Sequence, residues 1–123
     1  MLFVRVDLDN SFTGVATCYG VYETIASSGK MGYKLKGFVP VTIGPSGKIL
    51  AFDLVFEYLD GEEVEYDFEM VRAENNPRKS ANFNDFDDII MEHEHYGFDF
   101  CGFVPVEIGP SGKILEIELV FAK

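Results

Sequence analysis

The chain has 123 residues, of which 47% are hydrophobic and 25% are charged, a length and composition typical of one globular domain. Its net charge of −11 excludes direct nucleic-acid binding and an anionic membrane surface, because both need basic residues on the protein. No apolar run approaches the ~20 residues of a membrane helix. The two cysteines, Cys18 and Cys101, form no disulfide framework, so we expect a cytoplasmic protein without a membrane partner.

The first half of the chain predicts a strand, a helix and a hairpin, in that order. Apolar residues alternate over residues 2–8, which predicts a half-buried strand. A helix is expected over residues 20–31, ended by Gly32. Alternation returns over residues 33–43 and 48–58, and the intervening Gly-Pro-Ser-Gly is typical of a tight turn between paired strands.

The second half predicts the same elements. Residues 64–71 alternate as a strand, and residues 84–96 form an amphipathic helix that Asn84 can cap. A second hairpin follows over residues 98–108 and 113–121, around a second Gly-Pro-Ser-Gly. The predicted unit is therefore β-α-β-β, present twice.

Three local signals refine this prediction. Asp60-Gly61, where the halves meet, is typical of a hairpin turn, so no linker separates two domains. Pro40 and Pro105 lie within the first strand of each hairpin. Because proline cannot donate a ladder hydrogen bond, each of these strands is expected at a sheet edge or with a bulge. Gly97 is expected to end the second helix.

The two hairpins are copies of one sequence. Residues 37–56 read GFVPVTIGPSGKILAFDLVF and residues 102–121 read GFVPVEIGPSGKILEIELVF, so sixteen of twenty positions are identical at an offset of 65 residues. We therefore predict one domain (residues 1–123) built of a first repeat (1–60) and a second repeat (61–123). The first strands alternate out of phase at this offset, and a small insertion or deletion between the copies would explain the difference.

Two β-α-β-β units in tandem are similar in layout to GyrI-like domains, whose module is a strand-helix-strand-strand (SHS2-like) unit. The resemblance implies an α+β fold, with one pseudo-two-fold antiparallel arrangement of about six strands and two helices. It also implies that a small ligand, often cationic or aromatic, binds between the copies. The resemblance is one of topology, so it gives no residue of this chain a role.

The predicted ligand site lies on the second face of the hairpins. By alternation, Phe38 and Phe103 lie opposite the most regular apolar face. Aromatic residues at these positions in both copies suggest that a ligand or a partner chain covers them, or that the helices do and both are core. Thr42 and Glu107 come next along this face and differ between the copies. A carboxylate beside aromatic rings suits a cationic ligand, so these four residues form the predicted site.

No reaction chemistry is predicted. Gly-Pro-Ser-Gly-Lys differs from a phosphate-binding loop because it joins two strands and lacks a helix N-terminus. His93 and His95 are two apart and point opposite ways on a helix, so a solvated helix end with one partly buried histidine is expected, with a metal site as the alternative. No nucleophile–base pair can be assigned, and we predict no catalytic residue, metal or cofactor.

Charge is divided unevenly along the chain. Residues 1–61 carry five basic and six acidic side chains, net −1, whereas residues 62–123 carry five and fifteen, net −10. The first hypothesis is a non-enzymatic small-molecule binding domain with a cleft between the repeats. The alternative is an acidic interaction or inhibitor module that mimics nucleic acid and docks on a basic protein partner, unless the charge only aids solubility. Exposed strand edges would also allow a homodimer.

Overall fold

Each half of the chain folds as a long strand, a short hairpin of two-residue strands, a helix and a long hairpin. The computed structural model describes residues 1–75 and 80–123. The elements of the first half are β1 (Leu2–Asp7), β2 (Asp9–Asn10), β3 (Ala16–Thr17), α1 (Val21–Lys30), β4 (Tyr33–Ile43) and β5 (Ile49–Tyr58). Those of the second half are β6 (Tyr66–Arg72), β7 (Glu74–Asn75), β8 (Ala81–Asn82), α2 (Phe86–His95), β9 (Asp99–Ile108) and β10 (Ile114–Ala122). The α+β class, both helices and the six long strands agree with the prediction, whereas the four short strands have no predicted counterpart.

The strands divide into separate antiparallel sheets instead of one six-stranded arrangement. The first sheet has the order β1-β5-β4 and the second has β2-β3-β9-β10-β6, while β7 and β8 pair with each other. The three long strands of each half therefore have the same order. As expected for a proline-containing strand, β4 lies at a sheet edge with a register shift beside Pro40, and β9 has a shift beside Pro105.

Glycine turns form where the sequence predicts them. The Gly44 N–H donates to the Lys48 carbonyl at 2.7 Å, and Gly47 adopts a φ of 84° that residues with a side chain seldom take. Asp60 and Gly61 also turn, with φ values of 51° and 83°. They connect β5 of the first sheet to β6 of the second, so the turn links two sheets and the hairpin predicted there is wrong.

Helix α2 begins later than its predicted cap. Asp85, not Asn84, is the N-cap residue; it has a left-handed φ of 62° and makes no side-chain capping hydrogen bond. Gly97 ends the helix as predicted, with a φ of 87° and its N–H donating to the Glu94 carbonyl at 3.0 Å.

The second sheet is buried on both faces, whereas the first sheet is buried on one. Val104 and Val120 belong to a core cluster shared with α1 and the first sheet. Leu119 and Phe121, which alternate with Val120 along β10, belong to a second cluster on the α2 side. On the outer face of the first sheet, by contrast, Phe3 is 62% exposed. Helix α1 contacts β4 and β6 and so packs against both sheets, while α2 packs against the second sheet, chiefly on β9.

This two-sided burial explains why β1 and β6 alternate out of phase. The register pairs are Leu2 with Phe56 in the first sheet and Asp67 with Phe121 in the second. These pairs are related by the 65-residue offset, so the predicted insertion or deletion is wrong. Tyr66 and Phe68, one position out of phase with the apolar residues of β1, pack against the first core cluster. The apolar residues of β6 have changed face because its sheet has a second core to cover.

A glycine allows α1 and β6 to approach closely. The Gly29 carbonyl accepts a hydrogen bond from the Val64 N–H at 2.9 Å. A Cβ on Gly29 would clash with the Val64 carbonyl oxygen and lie 2.7 Å from the Tyr66 ring. That ring is fixed, because its hydroxyl accepts from the Leu35 N–H at 2.7 Å and donates to the Tyr33 carbonyl at 2.8 Å.

Gly29→Ala should therefore destabilise the whole protein. We expect the free energy of unfolding, measured by urea denaturation, to fall by about 2–3 kcal/mol through overpacking. Gly20→Ala is the matched control: a Cβ there meets nothing within 4 Å, and the change should stay below about 1 kcal/mol. Equal effects of the two substitutions would contradict the packing of α1 on β6.

Candidate functional site

The two phenylalanines of the predicted site, Phe38 and Phe103, touch each other. Their ring centroids are 5.6 Å apart at an interplanar angle of 75°, an edge-to-face contact. Phe38 also meets Phe52 edge to face at 5.4 Å and packs against the first core cluster. Phe103 remains 41% exposed. The two equivalent residues therefore have different environments, one at a packed core and the other at an open surface.

A cavity of about 340 Å³ lies beside Phe103, between α2 and the second sheet. Each of its lining residues is apolar: Phe83, Phe86, Ile90, Phe100, Phe103, Ile114, Ile117 and Leu119. Its volume is at the lower end of the range for small-molecule sites.

Every lining residue has a counterpart 65 positions earlier, and all eight counterparts belong to the first core cluster. They are Cys18, Val21, Ile25, Leu35, Phe38, Ile49, Phe52 and Leu54. Five of these counterparts are buried and three are partly buried in that cluster. The same set of positions thus forms a filled core in the first half and surrounds a cavity in the second.

The position of the helix accounts for the cavity, because the side chains around it are not smaller overall. Ile117 replaces the fully buried ring of Phe52, but Phe83 and Phe86 replace the smaller Cys18 and Val21. Helix α2 contains no buried residue, whereas α1 buries Val21 and Ile25. Because α1 is held by two sheets and α2 by one, α2 leaves open the space that α1 fills.

The other two predicted site residues, Thr42 and Glu107, do not line this cavity. The Glu107 carboxylate accepts a hydrogen bond from the Tyr19 hydroxyl at 2.6 Å and pairs with Arg72 at 2.8 Å. Burial, followed by this carboxylate, raises the pKa of Tyr19 to about 12, so the phenol keeps its proton and donates. Thr42 is exposed on β4, away from this network. Glu107 is therefore already paired with a cation of the chain.

The two hairpins differ at four positions. At three of them the second copy has a carboxylate: Glu107, Glu116 and Glu118. Glu116 lies opposite Glu107 across β9 and β10 and shares Arg72 with it, at 3.0 Å. Glu118 is 3% exposed, on the face of the second sheet that meets the first half. Burial, followed by repulsion from Glu116 and Glu69, raises the pKa of Glu118 to about 7.

The partly buried histidine of α2 is His93. Its Nδ1 lies 2.9 Å from the Ile89 carbonyl oxygen and its Nε2 lies 2.8 Å from the Asp67 carboxylate. A backbone carbonyl and an ionised carboxylate both accept, so these two contacts favour the protonated ring, which donates from both nitrogens. Burial by itself lowers the pKa of His93, but these two hydrogen bonds raise it above its ordinary value. The ring also stacks on Phe121 at 3.8 Å, which makes His93 part of the packing of α2.

A second, acidic groove of about 630 Å³ lies on the other side of α2. Its walls carry the carboxylates of Asp67, Glu69 and Glu92, together with His93, Lys123 and apolar side chains. The Lys123 ammonium is held 5.2 Å above the Phe98 ring. Within residues 1–75 and 80–123, no group of three or more His, Cys, Asp or Glu side chains is placed to hold a metal ion.

Comparison with known proteins assigns the chain to no family. A scan against family models, a search of curated proteins and a search of solved structures each gave no significant match. Among the described residues, no helix combines the length and apolar character needed to cross a membrane.

Sequence reasoning identified Phe103 but missed Phe83, Phe86, Phe100 and Ile117. A signal for them was present in the repeat itself. Phe52 becomes Ile117 within an otherwise nearly identical stretch, and the position of Val21 in the first helix holds the larger Phe86 in the second. Such paired changes of volume mark a place where one copy packs differently from the other.

Glu118 should make stability fall as the pH rises. Its pKa is raised in the fold, so the folded protein binds the proton more tightly, and stability is lost between the unfolded value near 4.5 and the folded value near 7. We expect Glu118→Gln to match the wild type at pH 4.5 and to exceed it by about 3 kcal/mol at pH 8, as measured by urea denaturation. An equal difference at both pH values would contradict a buried, protonated Glu118.

Proposed function

We propose that the protein is a non-enzymatic binding domain for an uncharged aromatic small molecule, which occupies the cavity between α2 and the second sheet. One observation carries the proposal: the eight positions that form a filled core in the first half surround an open cavity in the second. An apolar cavity that the chain does not fill with its own side chains favours an apolar molecule from solution.

The class of ligand follows from the missing side chain. Phe52 is fully buried and meets Phe38 edge to face, whereas Ile117 at the equivalent position has no ring. A planar ring of the ligand in that place would meet Phe103 in the same way. Such aromatic pairs contribute roughly 0.5–1.5 kcal/mol beyond the burial of apolar area, so an aromatic ligand is favoured over an aliphatic one.

A cationic ligand is not favoured in this cavity. All lining residues are uncharged, and the predicted carboxylate, Glu107, is paired with Arg72. Moving a cation out of water without a partner costs several kcal/mol. The proposal therefore narrows the sequence-based hypothesis from cationic or aromatic ligands to aromatic ones.

Exposed rings give such a ligand both a route and a driving force. Phe86, Phe100 and Phe103 are 44%, 41% and 41% exposed, although each lines the cavity. A ligand that covers them removes apolar surface from water. Phe38 of the first half touches Phe103, so the ligand would lie near the junction of the repeats.

The test is a thermal-shift screen with uncharged aromatic probes such as indole and 2-naphthol, beside aliphatic alcohols and cationic aromatics of similar size. At ten times its Kd, a probe that binds only the folded state should stabilise it by about 1.4 kcal/mol. This corresponds to a rise in Tm of roughly 3–6 °C for a domain of this size. No shift with any uncharged aromatic probe would contradict the proposal.

Ile117→Phe separates loss of binding from loss of folding. The new ring restores the side chain found at Phe52 and would occupy the place proposed for the ligand's ring, so the Tm shift should fall while the free energy of unfolding changes little. Phe12→Ala is the control, because Phe12 is fully exposed and outside the cavity. It should keep the full shift.

The alternative function, docking on a basic protein partner, is favoured by the acidic groove beside α2. Asp67, Glu69 and Glu92 bring three carboxylates to one surface, and Glu92 is exposed. An interaction at this groove would weaken steeply with salt. This groove and the apolar cavity have no lining residue in common, so the two candidate functions are independent.

A further inference from the structure

Nearly identical strand segments of the two copies differ strongly in the exposure of their apolar residues. Val104, Val106 and Ile108 of β9 are 0% exposed. Their counterparts in β4 are Val39, Val41 and Ile43, which are 54%, 44% and 60% exposed. The three β9 residues lie in the first core cluster, between the sheets, whereas the three β4 residues lie on the exposed outer face of the first sheet. A bare apolar edge strand is a surface that natural proteins usually cover.

The edge of β9 is covered by the short hairpin of the first half. Strand β3 pairs antiparallel with β9, with Ala16 opposite Ile108 and Thr17 opposite Glu107. The next residue, Cys18, donates its N–H to the Val106 carbonyl at 2.9 Å. The hairpin thus satisfies the backbone edge of β9, and its Ala16 joins the core cluster in which the apolar residues of β9 are buried.

The second half has the same pair of short strands, but in the described part of the chain neither pairs with a third strand. Strands β7 and β8 lie 65 positions after β2 and β3, and β8 begins with Ala81 as β3 begins with Ala16. The hydrogen bond just before the hairpin is also repeated. The Ala73 N–H donates to the Leu115 carbonyl at 2.8 Å, and the Leu8 N–H donates to the Leu50 carbonyl at 2.9 Å. Within residues 1–75 and 80–123, however, β8 pairs only with β7, and β4 has no partner on its outer edge.

We propose that β4 is the docking edge for a second copy of this chain, and that the occupant is the partner's β8. The register follows from the pairing of β3 with β9: Ala81 of one copy lies opposite Ile43 of the other, and Asn82 lies opposite Thr42. Each copy offers one β8 and one β4, and in the proposed dimer the exchange is reciprocal, because two-fold closure leaves neither edge free. This inference does not rest on the proposed ligand or its cavity.

A second copy is favoured over the chain's own β8 because that strand is anchored elsewhere. Phe83, the residue after β8, packs into the core cluster under α2, on the outer face of the second sheet. Strand β4 belongs to the first sheet. In a reciprocal dimer each hairpin keeps its Phe83 anchor and still presents the free edge of β8.

The proposal is tested by disulfide trapping with the substitutions Ile43→Cys and Ala81→Cys in one chain, after Cys18→Ser and Cys101→Ser. Residues directly opposite in an antiparallel pair have Cβ atoms close enough for a disulfide. We expect a covalent dimer as the main product of mild oxidation. The pair Met31→Cys and Ala81→Cys is the control and should give at least tenfold less dimer, because Met31 is equally exposed (62%) but lies at the end of α1.

The other outcomes overturn the proposal. An intramolecular disulfide, seen as a faster-migrating monomer, would mean that β8 closes on its own β4. Absence of any Ile43–Ala81 disulfide would mean that the edge has a different occupant.

Without cysteine substitutions, analytical ultracentrifugation should show a dimer whose Kd rises tenfold or more in Ile43→Lys but not in Met31→Lys, since a buried unpaired charge opposes docking. A monomer at every concentration would also overturn it.

Discussion

The structure depends on the burial of one sheet from both sides. The second sheet presents Val104 and Val120 to the first half and Leu119 and Phe121 to its own helix. A strand buried on both faces cannot alternate between apolar and polar residues, and β10 is accordingly apolar at nearly every position from Ile117 onward. The exception is Glu118, a buried carboxyl whose pKa is raised to about 7. Because of this constraint, residues of both copies share one core cluster.

The same constraint makes the copies unequal. Helix α1 is held between two sheets, fills its share of the core and approaches β6 so closely that only Gly29 fits. Helix α2 has a sheet on one side only and buries none of its residues. The cavity beside Phe103 and the bare edge of β4 both arise where an element of the second half, α2 or the pair β7 and β8, covers less than its counterpart in the first half. A duplicated sequence has thus produced one closed core and two open surfaces.

Much of the fold could be predicted because it depends on local signals. The Gly-Pro-Ser-Gly turns, Gly97 and the alternation of β4, β5, β9 and β10 act within a few residues. The division into two sheets could not be predicted, since an Asp60-Gly61 turn is compatible with a hairpin and with a link between sheets. The phase of β6 looked like an insertion because alternation reveals which residues are apolar but not which core they face. Within the candidate site, Phe103 could be predicted from the sequence. The cavity could not, because it depends on how far α2 closes over Ile117 in the tertiary packing.

The central claim is that equivalent positions are filled in one half and open in the other, and the chain contains its own control for testing it. Ile90 and Ile114 line the cavity, while their counterparts Ile25 and Ile49 lie in the filled core. The most direct measurement is a titration of isoleucine-methyl-labelled protein with 2-naphthol, followed by NMR. The account predicts saturable shifts of the Ile90, Ile114 and Ile117 methyl signals, with those of Ile25 and Ile49 unchanged. Equal shifts in both halves, or none in the second, would contradict it.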